Sequence, residues 1–156
     1  MSFYCDLLQT PLGPLYILFR NDLLLGLSIA ERPSGIKRGK APAALVKELE
    51  GYFAGKVREF GFPFAFRAGT DFERKVWLAL KEIPYGETRS YKWLSAHIGH
   101  PKASRAVGQA LSKNPLPIVL PCHRIIESDG SLGGFSPGVS IKRRLLDLEY
   151  YHSRSF

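Results

Sequence analysis

The sequence predicts an α/β N-terminal part over residues 1–69, followed by a mostly helical C-terminal part over residues 70–156 that holds a helix-turn-helix. Three observations point there. Short runs rich in Leu, Ile, Tyr and Phe crowd the first part, helix caps and helical spacing mark the second, and acidic residues vanish from one long stretch of it. A chain of 156 residues fits one ordinary domain or two small ones. Hydrophobic residues at 45% and charged residues at 23% give a globular balance, which excludes wholesale disorder. No apolar run approaches the roughly 18 residues of a membrane helix, so no membrane partner is expected. Residues 1–6 lack the basic-then-apolar order of a secretory signal. Two cysteines, Cys5 and Cys122, cannot form a disulfide framework. A reducing compartment is expected: cytoplasmic in a prokaryote, nuclear in a eukaryote.

In the first part, residues 13–19 and 23–29 read as an antiparallel hairpin turning at Arg20-Asn21-Asp22. Residues 31–40 are polar and basic and hold Pro33 and Gly35, which predicts an exposed loop. Leu45, Leu49, Tyr52 and Phe53 follow helical spacing within residues 42–54, and Gly55 ends the run. Residues 60–66 alternate around Pro63 and read as an edge strand. In the second part, Thr70 and Glu73 form a capping box. The helix they open buries Phe72, Val76, Trp77 and Leu80 and stops near Pro84. A second helix starts at Ser90 and closes at Gly99. A third runs from Lys102 to Ser112 and ends before Pro115. The tight Gly-containing turn between these two predicts the helix-turn-helix.

Residues 1–70 carry nine basic and six acidic side chains, net +3, and residues 71–156 carry thirteen and eight, net +5. From Arg89 to Ile126 stand Arg89, Lys92, Lys102, Arg105, Lys113 and Arg124 without one Asp or Glu. Such a stretch suits a polyanion, nucleic-acid phosphates foremost, and equally suits a solvated face. The third helix offers Ala103, Ser104, Arg105, Ala106, Gly108 and Gln109. Few of these reach base edges across a wide major groove, whereas small side chains with one Arg fit a narrow groove. Tight core packing would also use Ala and Gly, but Arg105 argues against burial. DNA contact is the favoured reading.

Residues 117–120 read as an apolar strand that delivers Pro121-Cys122-His123-Arg124. A lone Cys after such a run is commonly a packed core residue. Here the polar pair His123-Arg124 interrupts the run, which is costly without partners. An imidazole and a guanidinium beside a thiol favour thiolate. Residues 130–138 are loop-like, and a helix over residues 139–150 brings in Glu149, a carboxylate able to orient a histidine. On an extended strand Cys122 and His123 point to opposite sides, so a bridging water is expected unless the chain turns. Cys5 has no such setting and reads as structural. His97, His100 and His152 lack metal-ligand spacing with either cysteine, so no metal site is expected.

With these residues in place, the sequence closely resembles the O6-alkylguanine-DNA alkyltransferases, also called methylated-DNA–protein-cysteine methyltransferases. The resemblance runs in order through Val76-Trp77, Ile83-Pro84-Tyr85-Gly86, Ser90-Tyr91, Arg105-Ala106-Val107-Gly108, Asn114-Pro115, Pro121 to Ile126, and Lys142 with Leu145-Leu146. A looser match lies earlier, at Thr10-Pro11-Leu12-Gly13 and Tyr52-Phe53-Ala54-Gly55. It implies a small ribonuclease-H-like sheet in the N-terminal part and a winged-helix-like C-terminal part whose third helix enters the minor groove of double-stranded DNA. It further implies single-use transfer of an alkyl group from O6-alkylguanine to Cys122. His123 and Glu149 would form a water-bridged relay, Asn114 a hinge to the recognition helix, and Arg105 a filler for the space left by the extruded nucleotide. Tyr91, the Ile125 carbonyl, Phe135, the Ser136 backbone and Pro137 correspond to the guanine pocket.

The implied chemistry needs neither metal nor organic cofactor. Sulfur attacks a saturated carbon well, and the thioether product offers water no carbonyl to hydrolyse. A damaged pair is also cheaper to open. Three residues depart from the family pattern: Phe135 stands where tyrosine is common, Pro137 where glycine is usual, and Ser112 where a longer polar side chain is frequent. Pro137 stiffens its loop. A monomer is expected, with cooperative assembly on DNA left open. Two other readings compete. A non-reacting sensor of alkylated bases would lack the cysteine, and a Cys-His-Glu hydrolase would leave the acid-free helical pair unexplained.

Overall fold

Apolar side chains at Leu15, Ile17 and Phe19 bury one side of a strand against its neighbours. The computed structural model describes residues 2–154 and divides into two compact units, Met1–Arg67 and Ala68–Phe156. In the first, β1 (Tyr4–Thr10), β2 (Gly13–Arg20) and β3 (Leu23–Ile29) form an antiparallel sheet in the order β1-β2-β3. The β2–β3 hairpin turns at Asn21, whose φ is 51°, with a register shift between Leu18 and Phe19. Helix α1 (Ala43–Phe53) buries Leu45, Leu49, Tyr52 and Phe53.

Sequence pattern did not suggest β1. It buries only Cys5 fully, and Asp6 anchors it from outside the ladder, its carboxylate accepting from Ala41 N at 2.8 Å. The expected edge strand over residues 60–66 reduces to one bridge, Leu24 to Phe64. The Glu48 carboxylate takes the N–H groups of Gly61 and Phe62, both at 3.0 Å, and so removes donors a ladder would use.

In the second unit, α2 (Asp71–Ala79) opens on the capping box, with Glu73 N to Thr70 Oγ1 at 3.1 Å and Thr70 N to Glu73 Oε1 at 2.9 Å. A 3-10 turn, Leu80–Glu82, follows. Then come β4 (Arg89–Ser90), α3 (Tyr91–His97) and α4 (Ser104–Ser112). Ser90 caps α3 by accepting from Trp93 N at 2.9 Å. Helix α4 begins later than Lys102 because residues 100–103 close a turn, Ala103 N to His100 O at 3.0 Å. The Trp77 indole N–H reaches across from α2 to the Ala110 carbonyl of α4 at 2.7 Å. Phe72 is only half-buried, its ring edge-on to His100 at 5.5 Å. Cys122–Arg124 form a second 3-10 turn, β5 (Ile125–Ile126) pairs parallel with β4, and α5 (Val139–Ser153) closes the unit.

Residues 117–120 form turns, not a strand. Pro115, Pro117 and Pro121 remove three N–H donors from this short stretch. Leu120 N instead closes onto Leu116 O at 2.8 Å, and Ile118 adopts φ 79°, an outlier for a β-branched residue.

Candidate active site and nucleic-acid face

The turn over residues 117–120 decides how the reactive segment is presented. Asn114 holds it from the end of α4: its amide donates to Leu120 O at 2.8 Å, and its carbonyl accepts from Leu116 N at 3.0 Å. One side chain thereby joins the helix to the segment that carries Cys122. The chain then coils through Cys122, His123 and Arg124 in the 3-10 turn, so the expected extended geometry is replaced by a tight one.

All three residues of that turn are buried, and Cys122 keeps 7% of its surface exposed. His123 Nε2 lies 2.6 Å from Glu149 Oε2. Arg124 grips the same carboxylate from two positions, Nε to Oε1 at 2.8 Å and Nη2 to Oε2 at 3.0 Å. Its remaining Nη1 donates to Ile83 O at 2.7 Å. Gly86 N adds a fourth donor to Glu149 Oε1 at 3.2 Å. Gly86 has φ +81°, and a Cβ there would come within 2.7 Å of Ser153 on α5, so glycine allows this close approach.

Burial would raise the Glu149 carboxyl, but His123 and Arg124 outweigh it and hold the group well below the ordinary carboxylate range. Burial pulls the His123 imidazole down, against the opposing pull of Glu149. The buried ring is therefore neutral beside an ionised carboxylate. Among the described residues, His123 Nδ1 has no hydrogen-bond partner.

Cys122 differs from the sequence expectation. Burial pushes its thiol up to about 11; the Asn114 side chain, the Lys142 charge and the N–H groups of Cys122 and His123 act in the opposite direction. The expected guanidinium assistance is absent, because Arg124 spends its donors on Glu149 and Ile83. The same burial removes Arg124 from the basic surface.

Lys142, quoted in the resemblance without a role, is the polar residue that sequence reasoning passed over. It is fully buried on α5, its ammonium donating to Leu132 O at 2.5 Å and Gly134 O at 3.1 Å. Burial lowers its pKa, while Cys122 and Glu127 oppose that shift. A signal existed: Lys142, Leu145 and Glu149 fall at i, i+3 and i+7, the buried stripe of α5.

The loop that Lys142 anchors leads into three of the predicted pocket residues, Phe135, Ser136 and Pro137. Phe135 and Pro137 are half-buried and Ser136 is exposed, its hydroxyl donating to Ser112 O at 3.0 Å. Pairing of Arg89 with Ile125 and Ser90 with Ile126 sets Tyr91, the next residue, beside the cysteine segment. Burial, Glu127 and Cys122 raise the Tyr91 phenol. A Cβ at Gly133 would sit 2.8 Å from the Tyr91 hydroxyl, so the loop lies directly on it.

On α4, Val107 and Ala110 face the core. Ser104, Arg105, Ala106 and Gln109 are exposed, and Ala103 and Gly108 half-buried. Nothing lies within 4 Å of where a Gly108 Cβ would be, so its small size serves no internal packing. Lys92, Lys102 and Lys113 are exposed in the same acid-free stretch, with Arg89 half-buried. Among the described residues, no group of three or more His, Cys, Asp or Glu could hold a metal ion.

Residues 71–151 match the family described as 6-O-methylguanine DNA methyltransferase, DNA binding domain, and residues 3–66 match its ribonuclease-like domain. The chain is 44% identical over 153 residues to the methylated-DNA–protein-cysteine methyltransferase of Methanosarcina barkeri, covering 94% of this chain and 96% of that protein. The constitutive methylated-DNA–protein-cysteine methyltransferase of Bacillus subtilis is 40% identical over 160 residues, covering 96% of each. Among solved structures, the Mycobacterium tuberculosis O6-methylguanine methyltransferase superposes with a TM-score of 0.91 at 38% identity, covering 99% of this chain and 97% of that one. OGT of the same organism in complex with DNA gives 0.90 at 40% identity, covering 96% and 94%.

Proposed function

The chain belongs to the 6-O-methylguanine DNA methyltransferase family, and on that premise we propose that it repairs double-stranded DNA by moving the alkyl group of O6-alkylguanine onto its own Cys122, once per molecule. The carrying observation is Cys122 on a turn beside the Asn114 side chain and the Lys142 charge, followed by a buried neutral histidine whose Nδ1 has no hydrogen-bond partner among the described residues. That is a nucleophile-and-base arrangement with an orienting carboxylate behind it.

The resting thiol is protonated, so its proton leaves in the reaction itself. His123 Nδ1 takes it through one water, sulfur bonds to the alkyl carbon, and the carbon–O6 bond breaks with its electron pair passing to guanine. The Tyr91 hydroxyl and Ser136 N–H stabilise that developing charge. Guanine ends with a proton in place of the alkyl group, and Cys122 ends as a thioether. Asn114 keeps the thiol segment in register with α4. The Ile125 carbonyl, Phe135 and Pro137 bound the everted base.

The outer face of α4 (exposed Ser104, Arg105, Ala106 and Gln109, with half-buried Gly108) and the preceding Ala103 enter the minor groove, and Arg105 fills the vacated stack. The protein acts on DNA as a monomer. Its compartment is the cytoplasm if the source is prokaryotic.

Mixing the protein with a duplex holding one O6-methylguanine should add one methyl mass to the peptide containing Cys122. Cys122→Ser should bind the lesion and transfer nothing. Unmodified protein beside intact lesion would overturn the reading in favour of a sensor.

A further inference from the structure

Glu149 accepts from Gly86 N, Arg124 Nε, Arg124 Nη2 and His123 Nε2, the last two on the same oxygen. An ionised carboxylate offers about four lone-pair sites, so these donors use its acceptor capacity. Arg124 cannot give up a proton, and its fork is held on the far side by the Ile83 carbonyl at 2.7 Å. The Tyr85 ring lies 5.6 Å from its guanidinium carbon. From this geometry we infer that Arg124 is a positioning residue for the transfer: it saturates Glu149 so that the carboxylate orients His123 but cannot take its proton.

The inference rests on the proposed reaction at Cys122 and refines it. With Glu149 confined to accepting, His123 carries its hydrogen on Nε2, and the Nδ1 lone pair faces away from the carboxylate. The thiol proton travels as far as Nδ1 and stops, leaving an imidazolium rather than a neutral His–Glu pair. It remains there until guanine or solvent removes it. The charged groups acting on the ring are Arg124 on its own turn and Lys142 and Glu149 on α5, and Cys122 is the titratable residue that precedes it in the turn. Arg124 and Lys142 oppose the imidazolium and Glu149 favours it.

Two measurements test this on the full chain. Ring nitrogen-15 shifts of wild-type His123 should show Nε2 protonated and Nδ1 bare; a proton on Nδ1 overturns the inference. Rates of alkyl transfer from free O6-benzylguanine should be followed against pH for wild type, Arg124→Gln and Arg124→Lys. Loss of the guanidinium charge in Arg124→Gln should move the acid limb up by about one pH unit. Arg124→Lys should restore the limb, since the charge returns. A uniform drop in rate with an unmoved limb in Arg124→Gln would assign Arg124 a structural role only. Should Arg124→Gln fail to fold, the wild-type ring shifts decide. Absence of any Cys122 adduct in wild type would sink the proposed reaction instead, and the ring shifts distinguish the two failures.

Discussion

Removing the charge of Glu149 would strand the Arg124 guanidinium, which is 5% exposed, without its counter-ion. Breaking a buried pair from one side leaves an uncompensated charge, so Glu149→Gln should cost about 3–5 kcal/mol in denaturant unfolding. Transfer should fall as well, because His123 loses the acceptor that orients it. Cys122 makes a prediction at the opposite end of the pH scale. Its pKa is raised from 9.0 to about 11, so the folded state holds that proton more tightly than the unfolded chain. The contribution is fully present below pH 9.0 and lost as pH climbs through about 11. By linkage it amounts to about 2–3 kcal/mol, and unfolding free energies against pH should fall less steeply there in Cys122→Ser than in wild type.

Helix α4 combines two faces with separate duties. Val107 and Ala110 bind it to the core, and the Trp77 N–H bond to Ala110 O at 2.7 Å fixes its height over α2. The outer face is short, so a nucleic-acid backbone can approach closely. On the proposed minor-groove docking, Arg105→Ala should slow repair of a duplex lesion about tenfold or more. The same variant should react with a free alkylated base at close to the wild-type rate. Matched rate losses on duplex and free base would remove Arg105 from base eversion. Asn114 links α4 to the thiol turn, so docking of the helix and placement of the nucleophile share one side chain.

For the molecule as a whole, the formal charge of +8 predicts an affinity for undamaged DNA that drops steeply with salt through counterion release. Exposed Lys92, Lys102 and Lys113 in the acid-free stretch are the expected phosphate partners. Lys102→Ala should lower the slope of log affinity against log salt by about one and weaken all sequences alike. A slope unchanged by that substitution would remove Lys102 from the interface.

How much was legible in the sequence depends on the range of the interaction. The hairpin at Asn21, the capping box at Thr70 and the starts of α3 and α5 follow from neighbouring residues, and they appear where local chemistry puts them. The β1 strand and the bridge at Phe64 do not, because Asp6 and Glu48 act on backbone far away in the chain. The motif around Cys122 was also local, and it named the family and its chemistry. Side-chain partnership was not local. That Arg124 serves Glu149 rather than the thiol, that Lys142 lies buried against a loop, and that Cys122 rests as a thiol all depend on which groups share a volume closed to water. Spacing along a chain fixes the identity of a nucleophile and the periodicity of a helix. Only packing fixes the dielectric around a charge and the partner within 3 Å of it, and those two set which proton moves.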